Sequence, residues 1–219
     1  MPETTSNATV VAPMPPLSSR DRILHSGKHL FARNGYENTS TVAIAREAGT
    51  SESQLMKHFG SKQGLLAAIF DRGWANIIQR VKDSRAPASS PERLLGVLDA
   101  MIHEVESDPE LKELIALEAR RVRKDSHDVL MSHGYRQFAD LLQGILTEMR
   151  NQGQLRHDAN LDVVRVAIMG MTEGLLREQV VAKRSECHAD YSSADIRKML
   201  ETVIPALSQD AHPLKAVNQ

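Results

Sequence analysis

The sequence predicts an all-α protein, and three observations predict it. Aromatic residues make up only 4% of the chain while Ala, Leu and Met are plentiful, a balance that favours helix over sheet. No proline occurs from Leu17 through Ala86, as a run of packed helices requires. Apolar residues recur at three- and four-residue spacing in one segment after another. The chain of 219 residues has room for one or two domains with a substantial core, and its 41% hydrophobic and 25% charged residues are ordinary proportions for a globular protein.

Residues 1–17 read as a disordered tail, because Pro2, Pro13, Pro15 and Pro16 mix there with Thr, Ser and Asn and little can be buried. A first helix is expected over about 18–34, carrying Ile23, Leu24, Leu30 and Phe31, with Ser19 as N-cap and Asn34-Gly35 as stop. Ser40 caps a short second helix over 41–48, which Gly49 ends. Ser51 then caps a third helix, and Gln54 three residues on completes the spacing of a capping box. Leu55 and Phe59 point into a small core, Gly60 closes the helix, and Ser61 caps a fourth helix running to about 82. Residues 84–90, with Pro87, read as a linker.

Beyond the linker, Ser90 and Pro91 open a fifth helix to about 107, and Pro109 opens a sixth. A long seventh helix is expected over 126–152, ended by Gly153. The eighth, over 161–183, is apolar nearly all round and so should be buried on more than one face. The ninth covers 193–207, and a tail follows. The predicted organisation is therefore about nine helices: a tail (1–17), a helical module including the connecting fourth helix (18–82), a second helical module (83–207), and a tail (208–219).

Net charge is −1 overall, yet residues 20–82 carry +5 and the residues after 82 carry −5. A basic module on an acidic remainder suggests one part for an anion and another for something else. The single cysteine, Cys187, rules out an intrachain disulfide and fits a reducing, cytoplasmic setting, with an inert or a redox-sensing thiol both open. No apolar run approaches the roughly 20 residues of a membrane-spanning helix. The chain lacks a Gly-x-x-x-x-Gly-Lys phosphate loop, a Gly-x-Ser-x-Gly elbow and a His-Glu-x-x-His metal site, so an enzyme has no residues to rest on. No metal is expected either, since His127 and His133 are six apart rather than four, and no cofactor is called for.

Residues 39–62 have the layout of a helix-turn-helix, in which the second helix enters the major groove of double-stranded DNA. Its exposed set is Ser51, Glu52, Ser53, Gln54, Met56, Lys57 and His58. Gln54 suits adenine, Lys57 guanine or phosphate, Ser53 either, and Glu52 the amino group of cytosine. Thr41 and Lys62, each at a helix start where free N–H groups and the helix dipole favour an anion, are expected on phosphates. A Ser/Gln/Lys helix surface is also what any solvated face looks like.

The spacing Phe31-Ala-x-x-Gly-Tyr36, Thr39-x-x-x-x-Ile44-Ala45-x-x-Ala48-Gly49, and Leu55-x-x-His58-Phe59-x-Ser61-Lys62-x-x-Leu65-Leu66 resembles the DNA-binding domain of TetR-family transcriptional regulators over about residues 20–69. The resemblance implies a homodimer paired through its last two helices, with a small-molecule effector pocket in the C-terminal module. It implies a repressor released from a palindromic operator, with Tyr36 and His58 as further phosphate contacts. Three positions depart from the family pattern: Met56 where Tyr is usual, Thr50 where Val or Ile is usual, and Gly64 where an acidic residue is usual. The alternative reading is a helical small-molecule binding protein with a vestigial DNA-binding module, against which the retained Thr41, Lys57 and Lys62 count.

For the effector pocket the polar candidates are His103, Glu118, Arg120, Arg121, His127, Tyr135, Glu173 and Arg177, with Arg123 beside them. The same residues would serve equally as a solvated face laced with ion pairs. Gly170-x-x-x-Gly174 would let a second helix approach closely, which places Gly170, Gly174, Val166 and Met171, with Ile196, Met199 and Val203 of the last helix, on a dimer seam.

Overall fold

The computed structural model describes residues 17–84, 89–119, 132–185 and 189–207, and among these it holds nine α-helices and no strand. They are α1 (Ser19–Asn34), α2 (Thr41–Glu47), α3 (Glu52–Phe59), α4 (Lys62–Asp83), α5 (Ser90–Ser107), α6 (Pro109–Glu118), α7 (His133–Asn151), α8 (Leu161–Arg184) and α9 (Ser193–Ala206). Residues 1–16 and 208–219 of the expected tails lie outside the described residues, as do Arg120, Arg121, Arg123, His127 and Cys187.

Serine caps set most of the helix starts, sometimes one residue from where the spacing placed them. Ser18, not Ser19, caps α1 by accepting the Asp21 N–H, because Ser18 is the last residue with extended backbone. Ser89, not Ser90, caps α5, and with Glu92 it forms a reciprocal capping box. Ser51 accepts the Gln54 N–H at 3.3 Å, but the Gln54 side chain does not return the bond, so only half of the expected box forms. The long seventh helix is shorter than its apolar pattern suggested: Ser132 is extended (φ −65°, ψ 156°) and caps α7 through the Tyr135 N–H, which starts the helix at His133.

α1 packs on α2, α3 and α4 and also on α6; α4 packs on α5 and α7; α8 packs on α6, α7 and α9; α9 packs on α5. One apolar cluster runs through the whole set from Ile23 to Ile204. The start of α7 is pinned to α4. The Gly134 N–H donates to Asp71 Oδ1 at 2.6 Å, and a Cβ on Gly134 would come within 2.7 Å of the Trp74 Cβ. Trp74 then stacks against Phe138 with ring centroids 4.9 Å apart.

The expectation that α8 is buried on more than one face fails within the chain. Val163 is 63% exposed, Val166 57% and Val181 38%, and Gly170 and Gly174 lie on the surface with them. Residues four and seven apart on a helix share a face, so the apolar excess of α8 gathers into one uncovered stripe.

Candidate DNA-binding interface

The turn between α2 and α3 follows from four small features. Gly49 takes φ +61°, a conformation that L side chains rarely adopt. The Thr50 N–H donates to Ala45 O at 3.0 Å, closing the end of α2, and Ser51 opens α3. Ile44, Ala45, Ala48 and Leu55 are buried at 0–4% exposure and hold the two helices together. From α1, Arg22 donates through Nε to Ala48 O at 2.9 Å and through a terminal nitrogen to Leu17 O at 3.0 Å. Arg22 was missed in the sequence, where a charged residue on a first turn reads as solvated.

With Leu55 buried and Phe59 packed partly against the core, the remaining residues from Ser51 to Lys57 face outward. Ser51, Glu52, Ser53, Gln54, Met56 and Lys57 are all exposed, Met56 at 43%. They form one continuous surface, with Lys57 its one cation and Glu52 its one acid. Glu52 accepts the Thr41 hydroxyl at 2.5 Å, so the first residues of α2 and α3 are joined.

Two of the expected phosphate contacts are already occupied. The Lys62 ammonium donates to Tyr36 O at 3.0 Å and Thr39 O at 3.1 Å, and lies 4.3 Å from the centre of the Tyr36 ring. In the DNA-free chain the Lys62 charge, expected on a phosphate, instead satisfies carbonyls of the α1–α2 turn. The Tyr36 ring is 8% exposed and packs against Phe31, which leaves it little surface to offer. His58 is half-buried, with Nε2 3.0 Å from Ser19 Oγ, and Arg20 lies 5.2 Å from the centre of the Phe59 ring. The start of α1 and the end of α3 thus form one polar edge. Asp21, on the first turn of α1, is held below the usual carboxylate range by its hydrogen bonds from Ser18 and Arg72.

Gly64 has a physical reason. A Cβ there would overlap the Phe59 carbonyl oxygen, so the α3–α4 turn admits no side chain at this position.

Of the polar residues expected around an effector, Arg120, Arg121 and His127 lie outside the described residues, and the described ones are spread over the module. His103 and Arg177 are exposed, Tyr135 packs edge-on against Trp74 at 5.7 Å, Glu173 is half-buried, and Glu118 is 5% exposed. Glu118 lines a cavity of about 310 Å³ with Phe31, Leu114, Leu117 and Arg184. A second cavity, of about 240 Å³, lies where α1, α4, α5 and α6 meet, between Leu24, Ile69, Gly73 and Leu111. Beside it Lys28 pairs with Asp108 at 2.5 Å and His29 with Glu110 at 2.7 Å, tying α1 to α6. Of the dimer set, Val166, Gly170 and Gly174 are on the open stripe of α8, while Met171 and Met199 are half-buried against the chain's own core. Val203 is half-buried as well. Ile196 is 1% exposed, packed inside the chain, and is removed from the seam. Among the described residues no group of three His, Cys, Asp or Glu side chains is placed to hold a metal ion, and no helix is long and apolar enough to cross a membrane.

A helix with a continuous polar surface, braced across a tight turn by a second short helix, is the DNA-reading half of a helix-turn-helix protein. Residues 23–69 match the family model of bacterial regulatory proteins of the tetR family, and the relatives that the chain resembles over most of its length are transcriptional regulators. It is 24% identical over 68% of its length to the fatty acid metabolism regulator protein of Bacillus subtilis, covering 77% of that protein. It is 23% identical over 81% of its length to the transcriptional repressor AcnR of Corynebacterium glutamicum, covering 90% of it. The fold is that of the crystal structure of the regulator FadR from Bacillus subtilis in complex with stearoyl-CoA, with TM-score 0.70, 21% identity, and coverage of 86% of this chain and 97% of that one.

Proposed function

We propose that the protein is a dimeric repressor that a small-molecule effector releases from a near-palindromic operator. The observation that carries it is the exposed face of α3, with the Gln54 and Lys57 side chains free of partners among the described residues and Leu55 anchoring the helix from behind. On DNA, Ser51, Glu52, Ser53, Gln54, Met56 and Lys57 meet base edges. Thr41, His58 and the first N–H groups of α4 meet phosphates, with Tyr36 and Lys62 shaping that edge from inside. Met56 supplies an apolar contact of the kind a thymine methyl accepts.

Pairing runs through the open stripe of α8, Val163, Val166, Gly170 and Gly174, where small residues let a second helix come close. Two recognition helices then sit about 34–36 Å apart, in successive major grooves. Residues 18–82 form the DNA-binding module, and residues 83–207 form the module for effector and partner. An effector acts by favouring a different spacing of the two recognition helices, and operator affinity falls by its differential binding energy. The ion pairs between α1 and α6 offer the route. The likeness to FadR of Bacillus subtilis, solved with stearoyl-CoA, makes a long-chain acyl-CoA the effector class to test first, and the Met101, Met149 and Met169 side chains give the interior the adaptability an alkyl chain asks for.

The test is a gel shift with DNA flanking the protein's own gene, with and without stearoyl-CoA and with free CoA as control. Binding that stearoyl-CoA alone relieves is expected. A complex that forms but ignores acyl-CoA removes that effector class, and no complex with any flanking fragment at low salt removes the repressor reading for that locus. Val166→Glu places a charge in the seam and should yield a monomer by light scattering.

A further inference from the structure

α3 carries one carboxylate on the surface meant for a polyanion. Glu52 is exposed, and among the described residues no cation pairs with it. Asp21, by contrast, is taken up by Arg72 at 2.7 Å. Among the described residues the one partner of its side chain is the Thr41 hydroxyl, at 2.5 Å, which is the same hydroxyl that the DNA-binding reading assigns to a backbone phosphate. A hydroxyl has one proton to donate. It serves either the carboxylate or the phosphate, and on DNA the phosphate displaces the carboxylate.

The displaced carboxylate is then pressed toward the groove. Against a base edge that offers only acceptors it stays unpaired and desolvated, which is unfavourable, and the nearby phosphates repel it. Against a cytosine amino group it regains a hydrogen bond. The contribution of Glu52 is therefore a penalty on wrong sequences more than an attraction to the right one.

We propose that Glu52 determines specificity by exclusion: it holds the Thr41 hydroxyl in the free protein, yields it to a DNA phosphate, and is compensated only where the groove presents an N–H donor such as the cytosine amino group. This rests on the DNA-binding reading of α3. It differs from a simple base contact because it couples two residues on two helices and predicts what happens on DNA that is not the operator.

The experiment measures fluorescence anisotropy of the full chain on a bound flanking duplex and on a scrambled duplex of equal length and composition, at several salt concentrations. Variants are Glu52→Gln, Thr41→Val and both together, with Glu52→Ser as a second neutral replacement and thermal melts to establish folding. Glu52→Gln should tighten binding to the scrambled duplex and change the operator less, so that the ratio of the two affinities falls about tenfold, the lower part of what one base contact supplies. Thr41→Val should cost more affinity in the Glu52→Gln background than in the native one, because only in the native protein must the hydroxyl first leave the carboxylate. Equal changes on both duplexes, or strictly additive effects of the two substitutions, overturn the proposal while leaving the DNA-binding reading intact. A native protein that binds neither duplex overturns both.

Discussion

The two ends of this chain present their polar residues in different ways. From α1 to the start of α4, each polar residue of consequence has a fixed local task. Ser40, Ser51 and Ser61 cap helices, Arg22 holds a turn carbonyl, and Lys62 holds two more. What is left outside is a short, ordered surface on α3. From α5 to α9 the polar residues are spread over long helices: some are paired at the surface, as Arg93 is with Glu148 and Arg197 with Asp99, some are exposed, as His103 is, and a few, such as Glu104 and Glu118, are buried. A surface that reads a rigid duplex needs rigid local geometry. An interior that accommodates a flexible ligand needs apolar volume, and its few polar groups are placed by tertiary packing.

The largest effect that should break this comparison is in the small core. Leu55 is fully buried and is the sole buried residue of an eight-residue helix. Leu55→Ala should cost about 2–5 kcal/mol of stability and detach α3. Denaturant unfolding checks the first claim, and loss of DNA binding at temperatures where α5–α9 remain helical by circular dichroism checks the second. If DNA binding survives, α3 does not depend on its single anchor.

Lys62→Met should come next. Removing the ammonium leaves the Thr39 carbonyl without its donor and the Tyr36 carbonyl with only the Thr39 N–H, at a cost of about 1–3 kcal/mol. The sequence alone suggested a phosphate contact whose loss would flatten the salt dependence of binding. The structure predicts instead a drop in melting temperature with the slope of log affinity against log salt nearly unchanged. A slope shallower by about one unit would restore Lys62 to the phosphates.

Gln54→Ala touches no internal bond and should leave the melting temperature unchanged. Its effect belongs to one base pair, where discrimination should fall by about 1–3 kcal/mol when single-site variants of the operator are compared. An equal loss on every duplex would show that Gln54 contacts backbone rather than base.

These predictions also mark what the sequence could carry. The nine helices, the Gly49 turn and the outward face of α3 were legible because capping, glycine and apolar spacing are local signals. The start of α7 was not, since Val129 and Leu130 continue the apolar period while only the extended backbone at Ser132 stops it. The internal bonds of Lys62 were not legible because its acceptors, Tyr36 and Thr39, lie more than 20 residues away and are carbonyls, which no side-chain pattern reveals. The Thr41–Glu52 bond needed the α2–α3 angle. Effector residues pose the same difficulty on a larger scale: His103 and Tyr135 sit on helices whose faces are decided by what packs against them. Ile196 was assigned to a partner because an apolar residue looks the same whether its own chain or another covers it.

The smallest effects test the two regions with matched substitutions. Ser51 and Ser89 are both N-caps with extended backbone, one opening α3 and one opening α5. Each loses its cap on substitution by Ala, and each should cost about 1 kcal/mol. Ser89 should cost somewhat more, because Glu92 closes its capping box and Gln54 does not close that of Ser51. The consequences for DNA should run the other way. Ser51→Ala frays the turn that presents Glu52, Ser53 and Gln54, so operator affinity should fall further than stability does. Ser89→Ala frays the far end of α5, and operator affinity should follow stability alone. Paired melts and anisotropy titrations separate the cases. Equal losses of DNA affinity from both would mean that the order of α3 is set from α5–α9 as much as from its own cap, and the division between the two regions would then be one of description rather than of mechanics.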